Sequence, residues 1–114
     1  NLQSPQKQHW YSISVGLSGV HIELKTATRE NSVSCQFYIR DDHNLYNFLY
    51  QYKSEIEAKL DEKLDWNYQA ERKASYIGVK KSFDFNNKEE YLSWMFDITN
   101  RFYQFFRPYL KKYK

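Results

Sequence analysis

Three glycines, two prolines, one cysteine and one methionine are all that the 114 residues hold of these types. So little glycine and proline argues against a collagenous or low-complexity chain. One cysteine, Cys35, excludes an internal disulfide and falls short of a thiolate zinc site. No run approaches the roughly 18 apolar residues of a membrane-spanning helix, and no charged-then-apolar leader opens the chain. A soluble protein of the reducing cytoplasm is therefore expected, with no membrane partner. No Asp or Glu precedes Glu23.

What is abundant is aromatic: Tyr 11, Phe 8 and Trp 3, enough large rings to build one core in a chain of single-domain length. Residues 1–8 are polar and read as a lead-in or linker, residues 9–114 as a single domain. The chain starts at Asn1 rather than Met, so the domain is expected to be the C-terminal part of a longer protein. A net charge of +3 is mild for a dedicated nucleic-acid binder, so its distribution is more informative than its sum.

Period-two alternation marks the first half. Tyr11, Ile13 and Val15 alternate with Trp10, Ser12 and Ser14. Gly16-Leu17-Ser18-Gly19 supplies a turn, and Val20, Ile22 and Leu24 then alternate with His21, Glu23 and Lys25. After a polar loop at 28–32, Val33, Cys35, Phe37 and Ile39 alternate with Ser34, Gln36 and Tyr38, a third strand of an antiparallel meander. Asp41-Asp42 then caps a helix with Leu45, Phe48, Leu49, Tyr52, Ile56 and Leu60 at spacings of three and four. Two β-like runs, 64–68 and 74–83, flank a charged bend at 70–73. Asn87 with Glu90 opens a last helix striped by Tyr91, Met95, Ile98, Phe102, Phe106 and Tyr109, which Pro108 is expected to end or bend near Arg107. The prediction is an α+β, two-layer domain of order βββαββα: an antiparallel sheet of about five strands with two helices on one face. The other face, carrying Ser12, Ser14, His21, Glu23, Lys25, Ser34, Gln36 and Tyr38, is left to water or a partner.

The chain resembles a bacterial domain family of unknown function that closes longer proteins, some of whose front portions look like PD-(D/E)xK nucleases. The resemblance runs through His9-Trp10, Gly16 with Ser18-Gly19, Phe37-Tyr38-Ile39, Ile56-Glu57, Leu64-Asp65-Trp66, Lys73-Ala74-Ser75 with Ile77, Trp94, Phe106 and Pro108. Tyr76 stands where the family's arginine is expected. These are scattered short matches rather than a catalytic signature. They imply an accessory module at the end of a nuclease-like protein.

Glu23-Leu24-Lys25 has the carboxylate and lysine of a metal-dependent nuclease strand, but such a site needs a second carboxylate from the preceding strand to hold Mg²⁺. None is there, so a solvated strand face is the plainer account. His9, His21 and His43 lack metal-ligand spacing, and Cys35 and His21 fall on opposite phases of their strands. The domain alone is therefore expected to be non-catalytic, with no cofactor or metal. Two basic groups remain: Arg72, Lys73, Lys80 and Lys81 around Ser75 and Tyr76, and Arg107, Lys111 and their neighbours Arg101, Lys112 and Lys114 at the C-terminus. The bland account is solvated charge complementing a helix dipole. The functional one is a phosphate-contacting stripe for DNA or RNA, with Tyr76 stacking. The alternative function is a protein-interaction or dimerisation module, pairing with an upstream domain or a second copy. It would use the wide aromatic arc of the last helix, where Trp94 and Phe105 flank the stripe on one side and Phe96 and Tyr103 on the other, together with Tyr46 and Tyr50, expected to be exposed on the first helix.

Overall fold

The computed structural model describes residues 8–113 apart from 41, 70 and 72. Gln8 is already paired in the first strand, and the rest of the expected lead-in lies outside the described residues. Five strands, β1 (Gln8–Leu17), β2 (Val20–Ala27), β3 (Ser32–Arg40), β4 (Asp65–Gln69) and β5 (Ala74–Ser82), form one antiparallel sheet in the order β1-β2-β3-β5-β4. The α+β class and the five antiparallel strands follow from the alternation in the sequence.

The helix layer differs from expectation. It holds three helices rather than two, α1 (His43–Tyr50), α2 (Lys53–Leu60) and α3 (Lys88–Tyr113). No proline or glycine marks the break between α1 and α2. Tyr52 N reaches back to the Leu49 carbonyl at 2.9 Å, a single 3₁₀ step that interrupts an otherwise continuous stripe. Capping follows the sequence more closely: Asp42 accepts from Leu45 N at 3.0 Å to start α1, and Asn87 accepts from Glu90 N at 3.4 Å to start α3.

The core lies between the sheet and the helices. Ile22, Leu24, Val33, Cys35, Phe37, Ile39 and Ile77 come from the sheet, Leu45, Leu49, Ile56 and Leu60 from α1 and α2, and Met95, Ile98, Phe102 and Phe106 from α3. Phe106 stacks on Phe37 with centroids 4.4 Å apart and 8° between planes, so the last helix is fixed on the central strand by two parallel rings. Burial raises the Cys35 thiol well above its usual range, as suits a packing group.

Pro108 neither ends nor breaks α3, which continues to Tyr113. The proline has no N–H to give the Gln104 carbonyl, an interruption that costs about 3 kcal/mol in an unsupported helix. Contacts beyond it offset the loss. Tyr109 and Leu110 are buried. The Tyr109 hydroxyl donates to Glu55 and accepts from Lys59 Nζ at 3.1 Å, and the Tyr113 hydroxyl donates to Asp42 at 3.2 Å.

The hydrogen bond from Tyr109 is the main cause holding the Glu55 carboxyl below its ordinary value, with the Lys59 ammonium adding to it. A carboxyl depressed in the folded state stabilises the fold above its unfolded value, and the contribution is lost as pH falls through the depressed one. Tyr109→Phe is expected to raise the Glu55 value toward that of a free glutamate, read by NMR titration of the side-chain carboxyl carbon. An unmoved titration would mean that the Lys59 and Lys112 ammoniums set it without the hydroxyl.

Two segments that carry the family resemblance meet in one polar joint. Glu57 of α2 accepts from Leu64 N at 2.9 Å and from Trp66 Nε1 at 3.1 Å, both on Oε2. The joint ties the start of β4 to the helix layer, which accounts for Ile56-Glu57 and Leu64-Asp65-Trp66 as structural residues.

Candidate nucleic-acid interface

Strand pairing turns the helix-free face into ordered rows. The first row runs Ser14, His21, Tyr38, Tyr76 and Asn67 across all five strands, and the second runs Ser12, Glu23, Gln36, Gly78 and Asp65. Lys25, Ser34 and Lys80 follow in the third. Directly opposed residues of an antiparallel pair share a face with Cβ atoms roughly 5 Å apart, so the side chains along each row are neighbours, interrupted only at Gly78.

In the first row the His21 and Tyr38 rings lie 4.8 Å apart and tilted by 32°, and Tyr38 and Tyr76 lie 5.4 Å apart and tilted by 56°. Three rings therefore span three neighbouring strands, β2, β3 and β5. In the second row Glu23 is held from both sides: His21 Nε2 lies 3.0 Å from Oε2, and Gln36 Nε2 donates to Oε1 at 2.9 Å. Gly78, between Gln36 and Asp65, leaves a bare position in this row. A Cβ there would meet the Gln36 Cβ at 2.8 Å and the Cys35 carbonyl oxygen at 2.9 Å, so even alanine would push against the strand beside it. Rings and polar residues together wall an open hollow of about 780 Å³, lined by Gly19, His21, Glu23, Gln36, Tyr38, Arg40 and Tyr76.

The basic residues singled out in the sequence do not form one stripe. Tyr76 and Lys80 share the open face, where Lys80 pairs with Glu30 at 3.2 Å. Lys81 is on the other side of β5, its ammonium 5.5 Å from the Phe83 ring. It shares a hollow with Glu90 and Asp97 of α3. Ser75 follows the same inward phase and is 1% exposed, which withdraws it from any ligand surface. Lys73 is exposed beside the β4–β5 bend, and Arg72 lies outside the described residues. Arg107 and Lys111 sit on α3 near the β1–β2 turn, in the helix layer, with Arg107 5.5 Å from the Tyr103 ring. Lys112 lies over the Tyr52 ring at 4.8 Å, and Arg101 bonds Asp97 at 2.9 Å and the Leu60 carbonyl. Lys114 falls outside the described residues.

Tyr46 also departs from expectation. It is 4% exposed, enclosed by Tyr50, Trp66 and Tyr68, while Tyr50 is 48% exposed. On α3, Phe96 is exposed and stands with Tyr11, Ile13 and Leu92 along an apolar groove of about 370 Å³ between β1 and the helix. Among the described residues no group of three His, Cys, Asp or Glu side chains converges to hold a metal ion. No helix among them is long and apolar enough to cross a membrane.

The alternation in the sequence already sets His21 and Tyr38 on the open face. It does not reveal that β5 rather than β4 lies beside β3, which is what brings Tyr76 to Tyr38 and completes the row.

A family model described as a domain of unknown function, DUF4268, matches residues 1–110. No curated protein and no solved structure matches the chain.

Proposed function

We propose that this chain, which belongs to the DUF4268 family of domains of unknown function, binds single-stranded nucleic acid on its helix-free sheet face. The observation that carries the reading is the ring row His21–Tyr38–Tyr76. Unpaired bases stack on aromatic side chains whatever their sequence, at about 1–3 kcal/mol per base, while cations along the rim meet the phosphates. Arg40 lines the same hollow and Lys80 stands one row beyond Gly78, so rings and cations have the required arrangement. The interface thus keeps Tyr76 and Lys80 and gains Tyr38, His21 and Arg40. Arg107 and Lys111, in the helix layer, are left out of it.

Service as a non-catalytic accessory module of a nuclease-like bacterial protein is the wider form of this proposal, and its support is the sequence resemblance. The rival reading, a protein-interaction or dimerisation module, is favoured by the exposed Phe96 beside the apolar groove.

Fluorescence anisotropy with labelled single- and double-stranded oligonucleotides at several salt concentrations tests the proposal. Single strands are expected to bind more tightly than duplexes. Tyr38→Ala and Tyr76→Ala should each weaken binding about 5- to 150-fold, the stacking contribution of one base. Lys80→Ala should flatten the slope of log K against log salt by about 0.7, and Lys81→Ala, on the opposite side of the strand, should not. Absence of binding at low salt, or binding indifferent to both tyrosines, would overturn the reading in favour of the interaction module.

A further inference from the structure

We infer that the second row of the open face selects an unpaired guanine through Glu23. This inference rests on the nucleic-acid reading above and adds a base preference to it.

The hydrogen bonds at Glu23 fix which groups remain for a ligand. An ionised carboxylate only accepts, so the His21 nitrogen 3.0 Å away, Nε2, carries the proton, and the Gln36 amide must turn its NH₂ toward Oε1. One lone pair on each carboxylate oxygen is thereby used. A carboxylate offers about four such sites, so one acceptor direction per oxygen remains. The Gln36 carbonyl oxygen adds another acceptor. Glu23 is 19% exposed and lines the hollow, so a base resting on Tyr38 meets this edge of acceptors one row away.

Among the bases, guanine alone presents two adjacent donors there, N1–H and the exocyclic amino group, spaced to meet both oxygens of one carboxylate. Adenine and cytosine set a single amino group beside a ring acceptor. Thymine and uracil set one N–H between two carbonyls, which the carboxylate repels. In a duplex the guanine edge is already paired, so the preference applies to unpaired guanine. A good bidentate contact discriminates against the wrong base by roughly 5- to 150-fold.

The test uses labelled oligothymidylates carrying one central guanine, inosine, adenine or cytosine, or none, measured by anisotropy against the whole chain. Guanine is expected to tighten binding about tenfold over the all-thymidine strand. Inosine, which lacks the amino group, should lose most of that gain. In Glu23→Gln the guanine strand should fall to the affinity of the all-thymidine strand in the same variant. Equal affinity for all strands, or a guanine preference that survives Glu23→Gln, would overturn the inference while leaving the ring-face reading in place. Failure to bind any strand would remove both. Should Glu23→Gln not fold, the guanine-to-inosine comparison on the unaltered protein still decides, because equal binding of the two excludes a paired contact.

Discussion

Phe102→Ala is expected to lower the unfolding free energy by about 3–5 kcal/mol, the cost of emptying a site the size of a buried phenyl ring. Phe102 has no measurable exposure and its ring lies 5.3 Å from Phe106, which in turn stacks on Phe37. Removing it leaves a void at the seam between α3 and the sheet, and close-packed interiors relax only partly into such voids. Urea denaturation checks it. The midpoint should fall while the slope of free energy against denaturant stays the same. A loss under about 1.5 kcal/mol would mean that the neighbouring rings collapse into the gap.

Tyr46→Ala should cost nearly as much, again about 3–5 kcal/mol by the scale of large buried aromatics, and Tyr50→Ala under about 1 kcal/mol, in the range of surface changes. The difference arises from β4. Tyr46 packs edge-on to Trp66 and 5.1 Å from Tyr68, on the side of α1 that β4 covers. Desolvation is the main cause that raises its hydroxyl above the ordinary tyrosine range, with repulsion from Tyr50 and Asp65 adding to it. Denaturant midpoints of the two variants settle the assignment, and equal losses would show that the two rings are buried as a unit.

The same tyrosine shows where sequence periodicity stops being informative. Leu45, Leu49, Ile56 and Leu60 keep a helical stripe that reads correctly, because one face against one sheet is what the period encodes. Tyr46 is buried by a second neighbour, and no period within α1 records that β4 will lie beside it. Pro108 has the same origin: the rule that proline stops helices is local, while Tyr109 and Tyr113 are held by Glu55, Lys59 and Asp42 from 50 to 71 residues away. The strands were the easier part. Val20, Ile22 and Leu24, then Val33, Cys35, Phe37 and Ile39, alternate cleanly and are all buried. The proposed face was half legible: the period of β5, had it been applied to the basic group, separates Lys80 from Lys81 and turns Ser75 inward, whereas the pairing of Tyr38 with Tyr76 depends on strand order.

Because Phe102, Phe106 and Ile98 all come from the closing helix, the order in which the chain leaves the ribosome bears on how it reaches this fold. A nascent chain extended as far as Lys88 has every strand and both short helices in hand, yet Phe37 lacks the Phe106 ring that stacks on it and the core lacks Ile98 and Phe102. Until α3 arrives, the part of the sheet that it covers stays open, and transiently exposed apolar surface of this kind is aggregation-prone. The fold is therefore incomplete from the emergence of β5 until the Phe106 ring docks on Phe37.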